Sequence, residues 1–231
     1  MNPFAALRPL AADFWEWDMP GHRYGGLQLG RRMTIARLPD GTLWLHSPIK
    51  PTDDVRTTLA QLGPVAHLVG PNVFHDAFLT DAQRAWPEAT LHGAPGLAKA
   101  NKNLRVTDTL TANAPPAWSG IIDQHLIQGI RWLNEVVFFH RASRTVIFTD
   151  LVFNFGPDRD VITRTAMTLY GIQGRFKADP LLRILLNDRA ALRASIDHIL
   201  SWDFDRVILG HGNTVETGGE DAVRTAFAYL K

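Results

Sequence analysis

Polar side chains that could bind a metal ion follow three apolar segments of the sequence. They are His75 and Asp76 after residues 65–69, Asp150 after residues 146–148, and His211 after residues 207–209. Short apolar runs of this kind are typical of buried strands, and loops at strand ends bring distant residues together in layered α/β folds. Because two imidazoles and a carboxylate suit zinc, iron or manganese, the pattern predicts a metal site.

Each of these residues also has an ordinary structural interpretation when it is considered alone. Asp76 could accept a backbone N–H at the start of a helix, and Asp150 could be a turn residue after a strand. His211 is the most distinctive, because Gly210 and Gly212 on either side would let the backbone approach a site closely. The order and context of the residues therefore count for more than any one of them.

The composition limits the kinds of site that the chain can build. The 231 residues include nine histidines and no cysteine, which excludes disulfide frameworks, thiolate zinc sites, iron–sulfur clusters and a cysteine nucleophile. The 24 basic and 23 acidic residues nearly balance, whereas a nucleic-acid-binding protein usually has a clear basic excess. The sequence also lacks a glycine-rich phosphate loop, a Gly-x-Ser-x-Gly elbow and a His-Glu-x-x-His motif.

The sequence shows no signal for secretion or for a membrane span. Residues 1–10 have neither a basic segment nor a long apolar run, and no stretch approaches the ~18 apolar residues that cross a bilayer. We therefore expect a cytoplasmic protein that acts on a small molecule, with no nucleic-acid partner and no membrane partner.

The elements that must position the candidate ligands are predicted to alternate between strands and helices. A hairpin is predicted around the turn residues 39–41, a helix from Thr52 to Gly63, and a strand over residues 65–69. The later predicted elements are a helix over 77–85, strands over 90–92, 121–130, 135–140, 145–150 and 206–209, and helices from Asn187 and from Gly219. This order predicts a layered α/β fold. No linker or repeat is visible, so residues 1–231 are interpreted as one domain.

The sequence resembles, over nearly its whole length, a divergent family of unknown function related to the metallo-β-lactamase fold superfamily. Five segments carry the resemblance: residues 43–48 (LWLHSP), 69–72 (VGPN) with His75, 135–143 (EVVFFHRAS), 149–151 (TDL) and 208–212 (ILGHG). The resemblance implies a metallo-β-lactamase-like αββα sandwich.

The same resemblance shows where this chain departs from the superfamily's metal motif. That motif is His-x-His-x-Asp-His at the end of a strand, and the matching residues 71–76 read Pro-Asn-Val-Phe-His-Asp, so both leading histidines are missing. The superfamily's next histidine ligand would lie near Asn134 or Glu135. Asp150 matches the metal-bridging aspartate, and His211 matches the late histidine. A conventional two-zinc β-lactamase is therefore not expected.

What the resemblance leaves is a site for one divalent metal ion, either zinc, iron or manganese. The expected ligands are His75, Asp150 and His211, with Asp76 or Glu135 as a fourth group. Glu135 and His140 lie on opposite faces of the predicted strand, and the comparison favours Glu135 as the one that faces the site. Asp76, when it is not a ligand, would transfer a proton. Since a metal with an open position acidifies its bound water, the expected reaction is hydrolysis of an ester, lactone, thioester or phosphodiester.

Two other interpretations remain open from the sequence. One is a metal-free, catalytically inactive relative that uses the cleft to bind a small molecule or a partner. The other is redox chemistry at a bound iron. The segment 156–186, which lies where the superfamily often places a cleft-covering insertion, is predicted to form either a lid or a contact between the subunits of a homodimer.

Overall fold

Seven strands form the larger sheet of the computed structural model, which describes residues 7–130 and 132–230. In spatial order they are β1 (Arg8–Ala11), β2 (Phe14–Asp18), β3 (Arg32–Arg37), β4 (Leu43–His46), β5 (Val65–Gly70), β6 (Thr90–Gly93) and β7 (Asp108–Thr109). The first four strands pair antiparallel, and β4 to β7 pair parallel. Of the predicted domain 1–231, residues 1–6, 131 and 231 lie outside the described residues.

The second sheet has four strands. In spatial order they are β13 (Arg206–Leu209), β10 (Thr145–Phe148), β9 (Val136–His140) and β8 (Ile122–Leu126). Strands β13 and β10 pair parallel, whereas the other neighbours are antiparallel. The carboxyl ends of parallel neighbours meet at one edge of a sheet, so Asp150 and His211 follow their strands at the same edge. A two-stranded ribbon pairs β11 (Val152–Asn154) with β12 (Phe176–Ala178).

Helices cover the outer face of each sheet. They are α1 (Asp53–Leu62), α2 (Leu79–Ala85), α3 (Leu97–Ala100), α4 (Val161–Tyr170), α5 (Leu182–Leu185), α6 (Arg189–Leu200) and α7 (Gly219–Ala226), followed by a 3-10 helix (Ala228–Leu230). Buried side chains of α1, α2 and α3 pack on the larger sheet, and those of α6 and α7 pack on the smaller one. Within the described ranges, no helix is long and apolar enough to cross a membrane.

A buried apolar layer lies between the two sheets. Trp44 and Val69 of the larger sheet pack there with Phe138 and Ile147 of the smaller sheet. The next residue along β9, Val137, points to the opposite face and packs with the helices, as the alternation of side chains along a strand requires. The layers therefore run helix, sheet, sheet, helix, which confirms the predicted αββα sandwich.

Local sequence signals set the ends of several elements. Gly41, with φ of 84°, lies in the turn of the β3–β4 hairpin. The Thr52 side chain accepts a backbone N–H at the start of α1, and Asp188 does the same for α6. Helix α1 ends at Leu62, and Gly63 caps it, as the sequence predicts.

Several elements differ from the predictions. Strands β1 and β2 have no counterpart among the predicted elements. Helix α2 begins at Leu79 rather than at residue 77, because the Asn72 side chain accepts the backbone N–H groups of Phe74 and His75 and holds the preceding residues in a loop. The predicted strand 121–130 covers only Ile122–Leu126, since the chain then turns through Gly129, whose φ is 83°.

Candidate metal centre

A cavity of about 510 Å³ lies where the loops after β5, β10 and β13 meet. The polar lining includes His75, Asp76, Asp150, His211 and Arg31. Apolar side chains form most of the remaining lining: Leu29, Val73, Phe74, Leu133, Phe153, Leu181, Leu182 and Leu185. The segment 156–186, which contains the last three leucines, therefore lines the cavity. Its volume is within the range of small-molecule sites.

Three of the predicted ligands converge on one point in this cavity. Nε2 of His75 lies 3.0 Å from Nε2 of His211, and each of these atoms lies 3.6 Å from Oδ1 of Asp150. His75 is buried, whereas the side chains of Asp150 and His211 are partly exposed. In the part of the chain that the structure describes, this is the one group of three or more histidine, aspartate or glutamate side chains close enough to share a metal ion.

The separations within this group fit a single metal ion. Ligand atoms placed about 2.0–2.1 Å from a tetrahedral zinc lie about 3.3 Å from one another, and the separations here are 3.0 and 3.6 Å. Three protein ligands beside a cavity leave a fourth position open, which is the arrangement of catalytic rather than structural zinc sites. The same nitrogen and oxygen donors also suit iron and manganese.

The other nitrogen of each imidazole contacts a group outside the ligand set. Nδ1 of His211 lies 2.7 Å from the carbonyl oxygen of Gly30 and donates to it, so Nε2 of the neutral ring is left unprotonated towards Asp150. Nδ1 of His75 lies 2.6 Å from Oγ of Ser47. Because a hydroxyl both donates and accepts, Ser47 suits either tautomer of His75. Partners of this kind fix the orientation of metal-binding histidines.

The buried side chain of Asn72 positions two of the ligands at once. Its Nδ2 donates to Oδ2 of Asp150 across 2.7 Å, which leaves Oδ1 of that carboxylate facing the imidazoles. Its Oδ1 accepts the backbone N–H groups of Phe74 and His75, both at 2.9 Å. The loop that carries His75 is thereby tied to the strand end that carries Asp150.

Glu135, predicted as a further metal ligand, lies outside the group of three. Its fully buried carboxylate accepts the backbone N–H groups of Thr149, Asp150 and Leu151 at 2.8, 2.7 and 3.2 Å, and Nδ2 of Asn72 at 3.3 Å. Both oxygens are used to hold the turn that carries Asp150. Glu135 precedes β9, and its partners belong to the backbone at the end of the neighbouring strand β10, so the sequence of β9 did not predict these contacts.

Asp76 lies in the cavity lining but makes no contact within the ligand group. Its Oδ2 accepts a hydrogen bond from Nδ2 of Asn101 at 2.8 Å, and its side chain is partly exposed. The residue is therefore beside the cavity and outside the metal cluster. A role in proton transfer stays a prediction.

The glycine before His211 is explained by close packing. A Cβ atom on Gly210 would lie 2.7 Å from Cε1 of His75 and 3.1 Å from Cγ2 of Thr149. Any side chain at this position would therefore push against the imidazole of a candidate ligand. The predicted close approach of the backbone at residues 210–212 is a feature of the structure.

Burial and short-range contacts set the charges of the cluster. Burial lowers the pKa of His211 to about 3 and also lowers the pKa of His75, so both rings are neutral near pH 7. Burial by itself would raise the pKa of Asp150, but the two imidazoles and Asn72 bring it below its usual range. Burial and the Asp150 charge raise the pKa of Glu135, whereas the hydrogen bonds from the backbone N–H groups of Asp150 and Thr149 lower it. Neutral imidazoles and an ionised aspartate are the forms that bind metals.

A family model described as a domain of unknown function, DUF4336, matches residues 25–179, which is more than half of the chain. The chain belongs to the DUF4336 family. The matched residues include His75, Glu135 and Asp150, whereas His211 lies beyond them. No curated protein matches the sequence.

Solved structures share the fold of this DUF4336 chain but little of its sequence. A metallo-β-lactamase from Pontibacter korlensis has a TM-score of 0.67 at 13% identity, over 97% of this chain and 98% of its own. The DIM-1 metallo-β-lactamase has a TM-score of 0.66 at 13% identity, over 98% of both chains. The Flv1 flavodiiron core from Synechocystis sp. PCC6803 has a TM-score of 0.68 at 15% identity, over 97% of this chain and 60% of its own. The likeness shows the metallo-β-lactamase fold.

Three residues of the DUF4336 site were not singled out from the sequence. Ser47 and Asn72 lie in two of the segments that carry the family resemblance. Their position in those segments was the one sign of a role in the site, because a serine or an asparagine by itself does not indicate such a role. Arg31 had no such signal, because it stands beside Arg32 in an ordinary basic pair before a strand. Its importance comes from its surroundings in the folded chain.

Proposed function

We propose that the protein is a hydrolase that depends on one divalent metal ion held by His75, Asp150 and His211. The substrate is an ester, lactone, thioester or phosphodiester of small-molecule size. The proposal is supported above all by the two imidazole nitrogens and the carboxylate oxygen that lie 3.0 and 3.6 Å apart beside a cavity of about 510 Å³. When bound, zinc, iron or manganese would supply Lewis-acid activation of water and of the reacting group.

Residues around the three ligands would orient them and transfer a proton. Gly30 and Ser47 orient the imidazoles, while Asn72 and Glu135 hold Asp150 in place. Asp76 is the group that we assign to proton transfer, since it lies in the cavity lining and is not one of the three ligands. The apolar part of the lining would limit the access of bulk water to the reacting group.

Elemental analysis of the protein purified without added metal tests the first step. We expect close to one equivalent of zinc, iron or manganese in the wild type, and its loss in the Asp150→Ala and His211→Ala variants. His198→Ala is the matched control, because this histidine is exposed on α6 and lies outside the cluster. A folded wild type that neither retains nor takes up a metal would contradict the proposal.

The catalytic step is tested with a panel of esters, lactones, thioesters and phosphodiesters. For any substrate that is turned over, Asp76→Asn should lower kcat on the order of 10²-fold while the metal content stays unchanged, because the group removed acts in proton transfer rather than in metal binding. Asp81→Asn, a substitution of an aspartate on α2, is the control and should leave kcat unchanged. Loss of metal in Asp76→Asn would instead place this residue among the ligands.

A metal-free binding protein is the second candidate function, and one observation favours it. The Nε2 atoms of His75 and His211 are within hydrogen-bond distance, so without an ion His75 can donate to His211 while Ser47 donates to His75. The cluster would then be a closed polar network beside a cleft that binds a small molecule or a partner. Failure of the folded wild type to take up zinc, iron or manganese would select this function.

We further propose a cytoplasmic protein without nucleic-acid or membrane partners, which forms a homodimer through the segment 156–186. Within that segment, helix α4 exposes Val161, Ile162 and Leu169. Sedimentation of the purified protein measures the oligomeric state. A monomer at high concentration would contradict the dimer and would leave the cavity-lining role of the segment unaffected.

A further inference from the structure

Arg31 is a buried cation whose side chain has unused hydrogen-bond donors. The residue is 5% exposed, and no acceptor among the described residues contacts its buried Nε and Nη2 atoms. Its neighbour Arg32 is also buried, but its guanidinium donates to Asp18 and to the carbonyl oxygen of Leu209. The two adjacent arginines therefore differ: Arg32 is fully used in holding the fold, and Arg31 is not.

An unpaired buried charge costs stability, so its surroundings indicate what offsets that cost. The guanidinium carbon of Arg31 lies 5.6 Å from the centre of the Phe78 ring, which provides a weak cation–π contact. Burial lowers the pKa of Arg31 to about 10, and the charges of Asp150 and Asp76 act in the opposite direction. Neither carboxylate is hydrogen-bonded to it, so Nε and Nη2 have no acceptor among the described residues.

Arg31 lines the same cavity as the three metal ligands. The cavity therefore combines a charged group of residues with apolar walls that include Phe153, Leu181 and Leu185. A ligand that fills it would need a polar or charged end and an apolar body. Arginine is the side chain best suited to bind a planar oxyanion, because its N–H donors are arranged as a fixed fork.

We propose that Arg31 binds the carboxylate of an amphipathic small molecule whose apolar body lies against the leucines of the segment 156–186. The inference rests on the proposed function and deepens it, since it names a chemical feature of the substrate. A carboxylate is planar, so its two oxygens match the fork of N–H donors on one guanidinium.

Calorimetry with a simple probe tests the anchor. Octanoate has the carboxylate and an apolar chain, and octanamide is its neutral counterpart. In protein incubated with zinc, we expect octanoate to bind the wild type at least ~10-fold more tightly than it binds Arg31→Met, because a charge-assisted hydrogen bond is lost. Octanamide should show no such difference. Arg23→Met is the matched control, since Arg23 is exposed and pairs with Asp160.

A second measurement does not depend on the metal. If Arg31 is kept for a ligand, replacing it by the apolar methionine should raise the urea midpoint of the metal-free protein, because a buried unpaired charge is removed. Lowering of the midpoint would show that Arg31 is structural and would overturn the inference. Equal binding of octanoate to the wild type and to Arg31→Met would also overturn it.

The two proposals fail in different measurements. A folded wild type that takes up none of zinc, iron and manganese would contradict the metal-dependent hydrolase. Octanoate binding to the wild type and to Arg31→Met is then compared in the metal-free proteins, with the same ~10-fold difference expected. Retention of zinc in Arg31→Met, together with unchanged octanoate affinity, would leave the metal site intact and reject only the carboxylate anchor. Retention of zinc with loss of octanoate binding is the result that we expect.

Discussion

Nδ1 of His211 donates a hydrogen bond to the carbonyl oxygen of Gly30 across 2.7 Å. Gly210, the residue before His211, makes a second contact with the same segment: its carbonyl oxygen accepts the backbone N–H of Arg32 at 3.1 Å. These contacts join the segment before β3, in the larger sheet, to the loop after β13, in the smaller one. The residues that orient a metal ligand are therefore neighbours of Arg31, so one segment positions the candidate metal site and the proposed carboxylate anchor.

Gly210→Ala should weaken metal binding through His75. The new methyl group would lie 2.7 Å from Cε1 of His75, and the imidazole would have to move away from Asp150 and His211. We expect at least a tenfold loss of zinc affinity, measured by competition with a chelator, together with a lower melting temperature.

The control for this variant is Gly93→Ala, whose methyl group would contact Val106 and Leu97 rather than a ligand. It should lower the melting temperature while leaving zinc affinity close to that of the wild type. Equal zinc affinities for Gly210→Ala and the wild type would show that His75 is not a ligand or that its loop adjusts without cost.

Ser47→Ala should reduce metal affinity by about 10–100-fold, because the partner of Nδ1 of His75 is lost and the ring is free to reorient. The chain offers a close control in Ser143→Ala. Its Oγ lies 2.7 Å from Nδ1 of His140, a serine–histidine pair outside the cavity lining. Metal affinity is measured by titration of both variants. If Ser143→Ala lowered the metal affinity as much as Ser47→Ala, the role of Ser47 in orienting His75 would be contradicted.

Glu135→Gln should destabilise the metal-free protein. Depending on its orientation, the NH2 group of the amide would face either the backbone N–H of Thr149 or those of Asp150 and Leu151, which the two carboxylate oxygens accept in the native protein. Each buried donor left without an acceptor costs about 1–3 kcal/mol, so the free energy of unfolding should fall by at least about 2 kcal/mol in urea denaturation.

Glu216→Gln, at a carboxylate that is half exposed, should change the free energy of unfolding by less than about 1 kcal/mol. A direct metal ligand at residue 135 would behave differently, because its loss would lower stability chiefly when metal is present. Unchanged stability of the metal-free Glu135→Gln protein would therefore reject the positioning role.

His140 should make the stability of the protein depend on pH. Burial lowers its pKa to about 4, whereas the unfolded chain has a histidine pKa near 6.5. Between these values the unfolded state binds a proton that the native state does not, so the free energy of unfolding contributed by this residue falls as the pH decreases from about 6.5 to 4.

The expected size of this effect is about 1–2 kcal/mol at pH 5. Because other groups also titrate, the measurement is a comparison: wild type and His140→Gln are unfolded in urea at pH 7 and at pH 5. The wild type should lose more stability than the variant over this interval. Equal losses would mean that His140 is protonated in the native state or that its ring becomes exposed.

The local features of this protein could be predicted from its amino-acid pattern. The turn around Gly41, the caps at Thr52 and Asp188 and the alternation along β9 depend on neighbouring residues, so their pattern could be read directly from residue types and spacing. The amino-acid pattern also indicated His75, Asp150 and His211 as the groups that strand ends would present together.

The groups that surround those three residues come together only when the chain folds. Ser47 is 28 residues from His75, and Gly30 is 181 residues from His211. Glu135 was predicted to face a metal, but three backbone N–H groups of a neighbouring strand end satisfy it. Contacts of this kind arise when the two sheets pack, and no local periodicity encodes them. For the same reason the adjacent residues Arg31 and Arg32 differ in their contacts. Arg32 is hydrogen-bonded within the fold, whereas Nε and Nη2 of Arg31 have no acceptor beside the cavity.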